Sequence, residues 1–124
     1  MTAAAPVLVW TGDLFFRAKI EATARALGIP LQVSAAAAAP PGAFGGCIVD
    51  LDSVGAAGLA RVAELAAGHP TVAFLSHVNV ELAQRARACG VGDVLPRSRF
   101  SAELPQILAR LHGDRKSTRL NSSH

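Results

Sequence analysis

The chain has 124 residues, 51% of them hydrophobic, and a formal net charge of +3. That length suits one domain with its own core and is short for two. No apolar run reaches the roughly 18 residues of a transmembrane helix, so no membrane span is expected.

The basic balance carries no nucleic-acid inference. The last eleven residues, Asp114 to His124, read like a translated sequencing-library adapter. We expect them to be a non-native tail behind a single domain over residues 1–113. Without them basic residues fall from 12 to 9 and acidic ones from 9 to 8, a net charge of +1. The opening Met1 to Pro6 lacks the basic residues of a secretory signal. Cys47 and Cys89 lie far apart in sequence inside apolar segments, and a disulfide or metal framework would need more cysteines at closer spacing, so buried thiols in a cytoplasmic protein are expected.

Val7-Leu8-Val9-Trp10 is a continuous apolar run, the pattern of a strand buried on both faces. Thr11-Gly12-Asp13 breaks it. Asp13 or Thr11 is placed to cap a helix carrying Phe16, Ile20, Ala24 and Leu27 on one face. Gly28 closes that helix, and Ile29-Pro30 stops its continuation. Leu31 to Ser34 reads as a second strand. Residues 35–46 then hold five consecutive alanines, Pro40-Pro41 and three glycines. They predict a short turn and loop where a full helix would otherwise stand.

The third strand, Cys47 to Val49, ends on Asp50-Leu51-Asp52. Val54 to Ala67 reads as a helix with Leu59, Val62, Ala63 and Ala66 inward, weakened by Gly55 and Gly58. Thr71 to Leu75 is a fourth strand, ending on Ser76-His77. Asn79 suits the cap of a helix through Ala88, on which Glu81 and Arg85 stand one turn apart. Gly90 closes it, and Val91 to Leu95 forms a fifth strand ending at Pro96-Arg97. Ser101 is placed to cap a last helix with Leu104, Ile107, Leu108 and Leu111 inward.

Strands alternating with helices predict an α/β fold, a parallel sheet covered on both faces. Right-handed crossovers favour the flavodoxin-like order 2-1-3-4-5. Thr11-Gly12-Asp13, Asp50-Leu51-Asp52, Ser76-His77 and Arg97-Ser98 then meet at the carboxyl ends of the strands. Open α/β sheets place their ligands in that crevice. Asp50 has two readings there. It is a structural acceptor of loop N–H groups or a partner of Arg97, or it is an acid placed for the crevice's chemistry. Asp52 reads as a helix cap or a solvent-facing acid, and Ser76 as a turn residue or the site hydroxyl. His77 reads as solvated or as a proton carrier titrating near neutrality.

Ile48-Val49-Asp50-Leu51-Asp52 and the segment Glu81 to Leu95 resemble response-regulator receiver domains, with the likeness running from Val7 to Leu111. The resemblance implies a CheY-like fold, a phosphoacceptor at Asp50, the activation hydroxyl at Ser76 and the site cation at Arg97. It also marks departures. Receivers carry an acid pair after strand one that holds Mg²⁺, and here those places are Thr11 and Gly12, with Asp13 too late. Arg97 stands for a lysine and keeps the charge without the compact ammonium. Ser98 stands for the next proline, bulky His77 for a small residue that admits the phosphodonor, and Val94 for the aromatic of strand five.

The expectation is a degenerate, pseudo-receiver signalling module that is not an enzyme and works by binding proteins. Asp13, Asp50 and Asp52 are the candidate ligands for a metal, and no cofactor is otherwise expected. One alternative is a working phospho-receiver of a two-component system, using Mg²⁺ and Asp50. Another is a small-ligand binder of flavodoxin type, which would want a phosphate-cradling loop after strand one. The implied partners are a histidine kinase or an output domain, with homodimerisation through helix four, strand five and helix five. Neither nucleic acid nor a membrane is implied.

Overall fold

The computed structural model describes residues 5–34, 44–75 and 80–112. Its strands are β1 Val7–Trp10, β2 Leu31–Ser34, β3 Gly46–Asp50, β4 Thr71–Leu75 and β5 Asp93–Pro96. The helices are α1 Leu14–Leu27, α2 Leu51–Val54, α3 Leu59–Gly68, α4 Val80–Ala88, α5 Arg97–Ala102 and α6 over 104–112. All strand pairs are parallel, in the order β2-β1-β3-β4-β5 expected from the sequence. The stretch 35–43, with its predicted turn and loop, and the residues after 112, including the tail, lie outside the described residues. No described helix is long and apolar enough to cross a membrane.

Side-chain alternation along the strands sorts the apolar residues into two cores. Leu8, Trp10, Cys47, Val49, Ala73 and Leu75 face Leu59, Val62 and Leu65 of α3 and Ala86 of α4. Val7, Val9, Ile48, Val72 and Phe74 face Ile20 and Ala24 of α1, Phe100 of α5, and Leu104, Ile107 and Leu108 of α6. Cys47 is a packing residue, and burial pushes its thiol up to about 11.

Several details differ from the sequence reading, among them β5, which runs Asp93–Pro96 rather than from Val91 to Leu95. Leu27, expected inward, is exposed at the end of α1, just before Gly28 turns the chain with φ 71°. The helix expected over Val54–Ala67 is broken into α2, a 3-10 turn Ala56–Gly58, and α3. Gly55 breaks it by adopting φ 66°, ψ −176°, a conformation nearly confined to glycine. The resulting phase puts Leu65, rather than Ala63 or Ala66, in the buried set with Leu59 and Val62. The last helical stretch starts at Arg97, so Ser101 lies inside α5 and caps nothing. Pro105 has no N–H to give the Ser101 carbonyl, and the chain stops at Glu103 and restarts as α6.

Gly46 opens β3 against the end of α6. A Cβ there would stand 2.8 Å from Leu111 Cδ2 and 2.9 Å from its Cβ. Gly46→Ala is therefore expected to cost about 1–3 kcal/mol in urea unfolding. Gly68→Ala, which meets nothing within 4 Å, should cost nothing.

Candidate functional site

Asp50 ends β3 and is also the N-cap of α2. Its extended backbone, φ −87° and ψ 100°, turns the carboxylate back over the first helical turn. Oδ1 accepts the N–H groups of Asp52 at 3.1 Å and Ser53 at 3.4 Å. Oδ2 accepts the hydroxyls of Thr11 at 2.7 Å and Ser53 at 2.9 Å. The residue is 0% exposed. A carboxylate offers about four lone-pair sites, and four donors occupy them here.

The two hydroxyls also lace neighbouring loops together. Thr11 Oγ1 accepts the Asp13 N–H at 3.0 Å, and Ser53 Oγ accepts the Gly12 N–H at 3.0 Å. Sequence reasoning missed Ser53. Its signal was the spacing Asp-x-x-Ser across a strand-to-helix boundary, which sets the third helical side chain beside the cap. Gly12 is not demanded by the backbone. A Cβ there would stand in ordinary contact with Ser53 Oγ, at 3.5 Å.

Arg97, the first residue of α5, reaches across the crevice. Its Nη1 donates to Asp13 Oδ2 at 2.6 Å, and its Nη2 lies 3.5 Å from Asp52 Oδ2 and 3.8 Å from Asp50 Oδ2. The guanidinium rests on the Phe16 ring, 4.6 Å from its centroid, with Phe74 at 5.5 Å. The expected Arg97–Asp50 pair exists but is loose, and Asp13 is the main partner. The reason is that hydroxyl and N–H donors already fill the Asp50 oxygens. Asp52 lies in the first turn of α2 and faces Arg97, while Asp50 takes the cap.

Asp13 is itself the N-cap of α1. The Phe16 N–H, then Arg97, hold its carboxyl below the ordinary carboxylate range. Burial works against the charge on Arg97, and the Asp13 hydrogen bond with the fields of Asp50, Asp13 and Asp52 more than offsets it. Ser76, His77 and Asn79 lie outside the described residues.

These residues do not fit Mg²⁺. Thr11 and Gly12 supply no carboxylate, Asp13 and Asp52 share a guanidinium, and Asp50 is saturated. Among the described residues, no group of three or more His, Cys, Asp or Glu side chains is arranged to hold a metal ion. Among the described residues, the arrangement ties the heads of α1, α2 and α5 to the sheet.

No family profile matches the chain, and no curated protein matches it in sequence. Solved structures do. A CheY-like receiver domain protein from Methanospirillum hungatei superposes with a TM-score of 0.74, over 93% of this chain and 99% of that one, at 12% identity. The fold is that of a response-regulator receiver. The receiver domain of DrrB, solved in a BeF3-activated form, matches with a TM-score of 0.70 at 12% identity, over 88% and 97% of the two chains. NtrX from Brucella abortus, solved in complex with ADP, matches with a TM-score of 0.68 at 22% identity. That match covers 98% of this chain and 29% of the NtrX chain, so this chain spans under a third of that protein. On the receiver fold, Asp50 holds the third-strand position at which the sequence resemblance places a phosphoacceptor.

Proposed function

We propose that the chain is a receiver-like signalling module in which Asp50 is a structural carboxylate, and that it acts by binding proteins rather than by accepting a phosphoryl group. The observation behind this reading is the saturation of a fully buried Asp50. A nucleophilic carboxylate needs one oxygen free and aligned with the phosphorus it attacks. Hydrogen bonds from Thr11 and Ser53 occupy Oδ2, and burial denies a phosphodonor its approach. Arg97, Thr11 and Ser53 together do the charge balancing that a metal ion would do beside a working phosphoacceptor. A histidine kinase or an output domain is the partner class that the fold suggests.

Trp10 ends β1 directly before Thr11, which donates to Asp50, so its fluorescence serves as the reporter for this region. The protein would be titrated with Mg²⁺ and then beryllofluoride while Trp10 fluorescence is followed, with Asp50→Asn as control. The expected result is no saturable change in either protein. A saturable change at low-millimolar Mg²⁺ that the control loses would establish the competing reading, a working phosphoacceptor at Asp50.

A further inference from the structure

We infer that the cavity between Gly55 and the first turns of α4 is a binding site for a small free α-amino acid with an aliphatic side chain. The inference goes beyond the protein-binding reading and does not rest on it. The cavity has a volume of about 350 Å³, at the lower end of the range for small-molecule sites. Asp52, Gly55 and Ala56 line it from α2 and the 3-10 turn, and Glu81, Leu82 and Arg85 line it from α4. The backbone at Gly55 opens onto free space, since a Cβ there would meet nothing within 4 Å.

Two unused charges select the ligand. Elsewhere, acids and bases one helical turn apart close as ion pairs: Arg17–Glu21 at 3.3 Å, Arg61–Glu64 at 2.5 Å and Arg99–Glu103 at 2.9 Å. Glu81 and Arg85 stand at the same kind of spacing with the acid nearer the N-terminus, the orientation that favours pairing. Among the described residues, no ion pair joins them or engages either one, and both are exposed where they line the cavity. An α-amino acid carries an ammonium and a carboxylate on one carbon. A single molecule therefore bridges the two, ammonium toward Glu81 and carboxylate toward Arg85. An ammonium has three donors, and Asp52, 3.5 Å from Arg97, brings a second carboxylate to the cavity. Leu82 and Ala56 give an aliphatic side chain its apolar contact. Exposed ion pairs are weak, so the affinity belongs to the millimolar range.

The test uses the full chain, isotope-labelled for amide NMR, with L-valine as the probe. Isovalerate and isobutylamine serve as its single-charge analogues. Valine should shift the amides of Gly55 and Leu82 saturably, with a dissociation constant on the order of 1–10 mM. Each analogue should bind about fivefold more weakly or worse. Glu81→Gln and Arg85→Gln, both at exposed positions, should each weaken valine about fivefold. Arg110→Gln, which removes a cation paired with Asp93 instead, should leave it unaltered. The same spectra show that each variant is folded. An amine or a carboxylate that binds as well as valine would overturn the inference, since either makes the site a simple ion site. So would the absence of a saturable shift at about 100 mM valine, or a Glu81→Gln or Arg85→Gln variant that binds like the parent. The readout involves neither Mg²⁺ nor beryllofluoride, so this inference and the Asp50 reading can fail separately.

Discussion

Asp50→Ala is expected to lower the unfolding free energy by about 3–4 kcal/mol, which for a domain of this size is a drop of roughly 10–15 °C in Tm. Three losses contribute. Removing the cap of α2 costs about 1 kcal/mol. The Thr11 and Ser53 hydroxyls lose a charged acceptor in a site closed to solvent, at about 1 kcal/mol or more each. Asp50→Asn keeps one acceptor oxygen and the volume, and about 1–2 kcal/mol is expected for it. A phosphoacceptor open to solvent would behave differently, because its truncation removes no buried partner and moves stability by less than about 0.5 kcal/mol. Urea unfolding of the three proteins decides. An Asp50→Ala protein within 1 kcal/mol of the parent, on the order of experimental scatter, would rule out the structural role.

Arg97→Met should cost about 2–3 kcal/mol at neutral pH, and the cost should shrink as the pH falls. Methionine keeps the apolar arm over Phe16 but leaves Asp13, Asp50 and Asp52 without their shared cation. The sign of the pH effect follows from linkage. The folded-state pKa of Asp13 lies below its ordinary 3.8, so its stabilisation is complete above about that pH. It is lost as the pH drops through the folded value, and the parent protein should weaken below about pH 4. In the variant, protonation relieves repulsion among carboxylates in the folded state, so acidification from neutrality penalises it less. Urea midpoints of parent and variant should lie closer together below about pH 4 than at neutrality. A gap that stays constant with pH would assign the loss to packing on Phe16 and Phe74 alone.

The candidate site was half legible. Asp50 and Arg97 were placed at one crevice because a strand that ends on a charged residue delivers it to the carboxyl edge of the sheet. Asp13 was readable as a helix cap from its position just ahead of an amphipathic run. Ser53 was not singled out, and nothing local says that its hydroxyl turns back onto Asp50 rather than out to water. Likewise Phe16 gives no sign along the chain that it carries a guanidinium from Arg97. The division of the Val54–Ala67 segment was half visible, since Gly55 and Gly58 advertise weakness but not which of them breaks the helix.

Strand and helix order, the 2-1-3-4-5 sheet and the residue types lining its crevice were determined by the sequence itself. Apolar periodicity, glycine stops and the right-handed crossover are local or chiral rules that need no tertiary contact. Which oxygen each donor takes was decided only by the tertiary structure. Thr11 reaches Asp50 across 39 residues, and Arg97 reaches Asp13 across 84. A hydrogen bond exists only within about 3 Å. Packing of the two cores on the sheet sets distances that fine, and it left Asp50 saturated and Arg97 turned toward Asp13.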